Sequence, residues 1–256
     1  MRKYFLIFGL GLACLLTSSV FANGKAYVLH QPACYAIPGW VIGADIGWGY
    51  LDTPTNNLFF DDGYWTDLSQ SHDIGDIVWG IHGGRTFGIT PNMLLGFEVG
   101  YKDLGKSKYK SKWTAMDPND STLTRKVDQQ AIDVLLTGNY FVWQGFNLFA
   151  KAGMAYVEST TKQTFSGSLL CNPINYNGSS YYNTKESIWR LRPEVILGMG
   201  YMFNNHVDVH VLYDYIYGVT ETKWNGIEYE NGGIFFPPKP RTYSANLVMG
   251  GISYTF

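Results

Sequence analysis

Trp40-Val41-Ile42-Gly43-Ala44-Asp45-Ile46-Gly47-Trp48-Gly49-Tyr50 is the stretch whose reading decides the fold. Trp40, Ile42, Ala44, Ile46, Trp48 and Tyr50 fall on one side of a period-two alternation, and Val41, Gly43, Asp45, Gly47 and Gly49 on the other. That period belongs to a strand, because successive side chains of an extended backbone point to opposite faces. Soluble sandwiches alternate too, but they turn apolar side chains inward and charges outward.

Seven further segments repeat the pattern, at 77–89, 93–104, 131–142, 146–158, 188–203, 207–217 and 243–256. Each is about ten or more residues long, the length a tilted strand needs to cross a bilayer. The connections alternate in length. Short ones fall at Ile89-Thr90-Pro91-Asn92, Trp143-Gln144-Gly145 and Phe203-Asn204-Asn205-His206, and long ones at 51–76, 105–126, 159–187 and 218–242. Short turns on one side and long loops on the other are the habit of outer-membrane barrels, for which eight strands is the smallest even number. Trp40, Phe87, Tyr140, Tyr201, Tyr254 and Phe256 gather near one set of strand ends. Trp48, Tyr50, Trp79, Tyr101, Tyr156, Trp189 and Tyr215 gather near the other. Two aromatic girdles are expected where rings sit at the two lipid–water boundaries.

Composition agrees. Of 256 residues only 16% are charged, while 29 are Gly and 19 Tyr, and the net charge of −2 gives no basic face for nucleic acid. Arg2 and Lys3, the apolar run 4–16 and the ending Val20-Phe21-Ala22 read as a secretory signal peptide over 1–22, too short for a membrane anchor. Residues 23–39 then form a periplasmic segment before a barrel over 40–256. No other stretch approaches a transmembrane helix, so a membrane-bound chain must cross as a closed barrel, which also pairs every backbone group. The fold expected is all-β, an eight-stranded antiparallel transmembrane β-barrel with four long outer loops. Cys34 and Cys171 are expected at opposite ends of a barrel about 25 Å tall. No disulfide is expected between them, since that needs Cα atoms within about 7 Å.

Three stretches carry a family likeness. They are Trp79-Gly80-Ile81-His82-Gly83-Gly84-Arg85-Thr86-Phe87-Gly88-Ile89-Thr90 with Leu95-Gly96-Phe97-Glu98-Val99-Gly100-Tyr101-Lys102-Asp103-Leu104-Gly105, then Phe149-Ala150-Lys151-Ala152-Gly153-Met154-Ala155-Tyr156, and the ending Gly250-Gly251-Ile252-Ser253-Tyr254-Thr255-Phe256. Together they resemble the eight-stranded transmembrane domain of the outer membrane protein A family and the related opacity-type surface proteins, over most of residues 40–256. The resemblance implies outer-membrane localisation. It also implies that Ile252, Tyr254 and Phe256 form the C-terminal signal read by the barrel-assembly machinery, and that Glu98 and Lys151 match lumen charges. His210 and Thr137 stand where the family often has basic residues, so its ion-pair network does not transfer whole. No peptidoglycan-binding domain is expected after Phe256, and cell-wall tethering is not carried over.

The inward face collects Asp45, His82, Glu98, Asp133, Lys151, Arg192, Glu194, Asp208, His210 and Asp214. Side chains fill the bore of a barrel this narrow, and buried charges must pair. A structural network that plugs the bore is therefore preferred over a water-filled conduit whose acidic excess favours cations. Arg85 lies on the lipid-facing parity, where it either snorkels to headgroups or is turned inward by a bulge at Gly83-Gly84. No catalytic, cofactor or metal site is expected. His72 beside Asp73 and Asp76 is the only hint of one, and a loop His next to Asp is ordinarily solvated. Lys106-Ser107-Lys108-Tyr109-Lys110-Ser111-Lys112 reads as a solvated loop, with contact to acidic sugars or lipopolysaccharide phosphates as the alternative. The expected role is a structural and surface-interaction protein of the outer membrane. Its partners would be membrane lipid and lipopolysaccharide, with a host or environmental ligand at the outer loops. A narrow porin-like pore is the second reading.

Overall fold

The computed structural model describes residues 37–53, 66–114, 120–143, 145–168, 179–204, 206–218 and 241–256. The signal peptide expected over 1–22, Cys34, Cys171 and most of the fourth long loop lie outside the described residues.

Among the described residues nine strands run antiparallel: β1 (Trp40–Leu51), β2 (Thr66–Asp73), β3 (Gly75–Thr90), β4 (Met93–Thr114), β5 (Asp120–Trp143), β6 (Phe146–Ser168), β7 (Ser179–Asn204), β8 (Val207–Ile216) and β9 (Ala245–Thr255). Their order around the sheet is β2-β4-β3-β1-β9-β8-β7-β6-β5, and β4 pairs again with β5. The sheet thus closes. β2 and β3 lie end to end along the same edge of β4, so nine stretches make a ring of eight. At the seam between first and last strands, Trp40 N donates to Phe256 O (3.0 Å) and Phe256 N donates to Trp40 O (2.9 Å). Closure leaves no edge where all eight strands pair, which a sheet in lipid requires.

The burial pattern is the reverse of a soluble fold. Outward Leu136 and Ile46 are 73% and 64% exposed, whereas inward Asp214 and Asp133 are 0% and 1% exposed. Such an outer surface fits a hydrocarbon solvent, not water. The aromatic ends pair outside the wall. Tyr156 stacks on Trp189 (4.9 Å) and Trp79 lies against Tyr101 (5.6 Å). Near the turn end, Tyr254 stacks on Phe256 (6.2 Å). The β1–β3 register passes through Gly83 and Gly84 without a bulge. Arg85 therefore points outward, its guanidinium 5.2 Å from the Trp40 ring and 5.3 Å from that of Phe87.

One expectation is corrected. Residues 105–114, 120–126, 159–168 and 179–187, read as loops, continue β4 to β7, and 66–73 forms β2. The run 106–112 is accordingly strand, with Lys106, Lys108 and Lys112 exposed on the outside and Ser107 and Tyr109 buried inside. The apolar outward stripe stops where lipid stops, but the hydrogen-bonded ladder does not. β4 absorbs the change at Gly105, whose φ of +81° favours glycine and whose N–H donates to Asp103 Oδ1 (2.9 Å). The β4–β5 register shifts by one residue there.

Candidate functional site

The bore is the candidate site, and it is built in layers. Nearest the turn end, Leu94, Phe141 and Met202 form a small apolar cluster. Next comes a chain of polar contacts across five strands. Asp45 on β1 meets His210 Nε2 on β8 (2.8 Å) through Oδ1 and His82 Nδ1 on β3 (3.1 Å) through Oδ2. His210 Nδ1 contacts Asp208 Oδ2 (3.1 Å), and Asn147 on β6 donates to Asp208 Oδ1 (2.7 Å). Lys151 on β6 donates to Glu98 on β4 (2.5 Å). A cavity of about 60 Å³ lies among His82, Glu98, Lys151, Asp208 and His210, room for a few waters.

Asp45 and His210 meet only because β9, the strand between them, presents Gly251 at that level. A Cβ there would stand 2.0 Å from Asp45 Oδ1 and 2.6 Å from His210 Nε2. The glycine is the space through which the two walls touch.

Toward the outer end the next layer centres on Lys102 of β4. Its ammonium donates to Asp214 of β8 (2.7 Å) and to Glu194 of β7, and faces Asp133 of β5 (3.2 Å). One lysine thus gathers three carboxylates from three other strands. Glu194 Oε2 and Asp214 Oδ1 have no hydrogen-bond partner among the described residues, which leaves an acidic surplus in the layer. Five strands then place an apolar side chain farther out: Leu51, Val78, Leu104, Val157 and Leu247 are 0–1% exposed and belong to one buried cluster. Beyond them Thr53 Oγ1 shares hydrogen bonds with His72 Nε2 (2.8 Å) and Ser107 Oγ (2.7 Å).

Of the ten inward candidates, nine lie in the two polar layers: Asp45, His82, Glu98, Lys151, Asp208 and His210 in the first, Asp133, Glu194 and Asp214 in the second. Arg192 does not join them. It shares their parity but sits at the outer mouth, where Nε donates to Thr242 Oγ1 (2.7 Å). Lys102, absent from the candidates, holds the second layer. Its inward parity, the same as that of Glu98 on the same strand, was the signal for it. The apolar outer layer was also missed, because Leu51 and Leu247 lie at strand ends where the alternation fades. Ile252, Tyr254 and Phe256 all face outward, 53%, 46% and 66% exposed.

A family model for the OmpA-like transmembrane domain matches residues 37–256. No curated protein sequence matches the chain. Among solved structures, Neisserial surface protein A (NspA) is 13% identical with a TM-score of 0.34, over 85% of this chain and 97% of that one. Ail, the attachment invasion locus protein of Yersinia pestis, is 9% identical with a TM-score of 0.37, over 86% and 100%. OprG of Pseudomonas aeruginosa is 14% identical with a TM-score of 0.42, over 87% and 98%.

Proposed function

This chain belongs to the OmpA-like transmembrane domain family and is an outer-membrane barrel protein, and we propose on that premise that it is a plugged barrel whose work is done at its outer end. It holds a place in the membrane and presents a rigid extension of β4 to β7 to the surroundings. The observation that carries this reading is the set of contacts between distant strands in the bore. Lys102 ties β4 to β5, β7 and β8, and Asp45 ties β1 to β3 and β8. An ion crossing such a bore would have to separate these pairs and then pass the apolar layer of Leu51, Val78, Leu104, Val157 and Leu247 without hydration.

Catalysis has no part in this reading. His72 is hydrogen-bonded at Nε2 by Thr53, and the nearby Ser107 is buried among the described residues, so the pair is read as a structural contact and not as a base with its nucleophile. Placement of 1–22 as a cleaved signal, assembly through the C-terminal Ile252, Tyr254 and Phe256, and contact with a host or environmental ligand at the outer end complete the proposal.

Single-channel recording of the refolded chain in a planar bilayer tests it, using material whose gel band shifts on boiling. Silence over many insertions is expected. Steady cation-selective steps would replace the plug with a narrow pore, to which the acidic surplus around Lys102 would then give its selectivity.

A further inference from the structure

Four lysines stand in one line across the outside of the extended barrel. In the strand registers Lys108 of β4 is opposite Lys126 of β5, Lys126 is opposite Lys162 of β6, and Lys162 is opposite Lys185 of β7. All four are exposed on the outward face. Neighbouring strands are about 4.8 Å apart, so the row spans about 14 Å. Like charges directly opposite one another in a sheet are destabilising. Among the described residues none of the four makes an ion pair. The nearest balanced cation is Lys106, 3.6 Å from Asp128, and Asp73 flanks the row beyond Lys108. Three lysine pairs in succession thus carry a local penalty that Asp73, opposite Lys108, and Asp128, near Lys162, relieve only at two points of the row, and an anion lying along it would remove the rest.

Direction and height select the anion. The ammonium groups project sideways from the barrel wall, not upward from its tip. Lys162 is six residues beyond the girdle residue Tyr156, which at about 3.3 Å per residue and a tilt near 40° is about 15 Å above the aromatic ring. In an outer membrane the neighbours beside the wall at that height are the core sugars of the outer-leaflet glycolipid, with their phosphates and carboxylates.

We propose that Lys108, Lys126, Lys162 and Lys185 form a binding site for the anionic core sugars of that glycolipid, a lateral clamp that holds the extended strands upright in the sugar layer. The site rests on the outer-membrane reading and gives it a partner and residues.

The test uses the refolded chain in lipid nanodiscs, wild type and Lys126→Gln/Lys162→Gln. Binding is measured to lipopolysaccharide with a phosphorylated core, to lipid A without core sugars, and to a soluble polysulfated glycan. The boiling-dependent gel shift of each variant is read separately, so loss of the barrel and loss of the clamp give different results. The double variant is expected to fold, to bind core-bearing lipopolysaccharide about 30-fold more weakly, and to bind lipid A as wild type does. Equal binding of core-bearing lipopolysaccharide by both proteins overturns the proposal. So does a deficit already present with lipid A alone, or a stronger hold by the row on the soluble glycan than on the core-bearing lipid. Should the double variant not fold, a salt titration of the wild type decides. The complex must weaken steeply with salt, because exposed charges are screened, and indifference to salt overturns the site.

Discussion

Removing the Lys102 ammonium would leave Asp133, Glu194 and Asp214 facing one another, all at most 1% exposed. Breaking a buried pair from one side typically costs about 3–5 kcal/mol. Lys102→Met is therefore expected to lower unfolding free energy by that amount in denaturant titrations of vesicle-reconstituted protein. Lys106→Met, whose side chain is 62% exposed beside Asp128, should change it by less than about 1 kcal/mol. Gly251→Ala probes the other layer. Its Cβ must displace Asp45 or His210, an overpacking cost of about 1–3 kcal/mol. That cost should shrink in an Asp45→Ala background, and simple additivity in the double-mutant cycle would show that the two sites do not touch. At this scale parity was legible in the sequence. Asp133, Glu194 and His210 alternate with apolar residues, and an extended backbone has only two faces. Which acid meets which cation was not legible. Strand tilt makes the contacts diagonal, so Lys102 reaches β7 and β8 although its register partners are on β3 and β5.

Strands β4 to β7 have 22 to 26 residues each, about twice what a bilayer needs. Their membrane-crossing halves were readable from the apolar stripe. The outer halves were not, because Lys126, Lys162 and Lys185 face water and a polar alternation looks like a loop. The inward residues there were the available sign, since Leu123, Arg125 and Val127 are buried at period two. Amide exchange separates strand from loop. Amides 122–128 and 157–163 should be protected to a degree comparable with those of 132–138, and loop-like exchange would contradict the extension. The junction of β2 with this wall should also respond to acid. Burial holds the His72 imidazole below its ordinary value of 6.5, against the opposing pull of Asp73. A depressed His gives full stability above 6.5 and loses it as pH falls below, when the unfolded form takes the proton first. Exchange around Thr53, His72 and Ser107 should rise between pH 7 and pH 5, and His72→Asn should flatten that dependence.

For the molecule as a whole, the arrangement is a closed ring with an apolar outside and a layered, mostly polar inside. Closure follows from the β1–β9 and β4–β5 pairings, and the inverted burial follows from the solvent that the outside is made to meet. The period-two reading reached this architecture because lipid demands continuous apolar positions on one face and no unpaired backbone. It could not reach the interior layering, which depends on depth along the bore. The most direct measurement is a nitroxide scan of β6 in reconstituted membranes, one label at a time from Leu148 to Val157, with the native cysteines replaced. Labels at 148, 150, 152, 154 and 156 should relax with dissolved oxygen and ignore a water-soluble nickel reagent, while those at 149, 151, 153, 155 and 157 should be shielded from both. A scan in which the even positions meet the nickel reagent, or in which the period of two is lost, would contradict a membrane-spanning barrel with a filled bore.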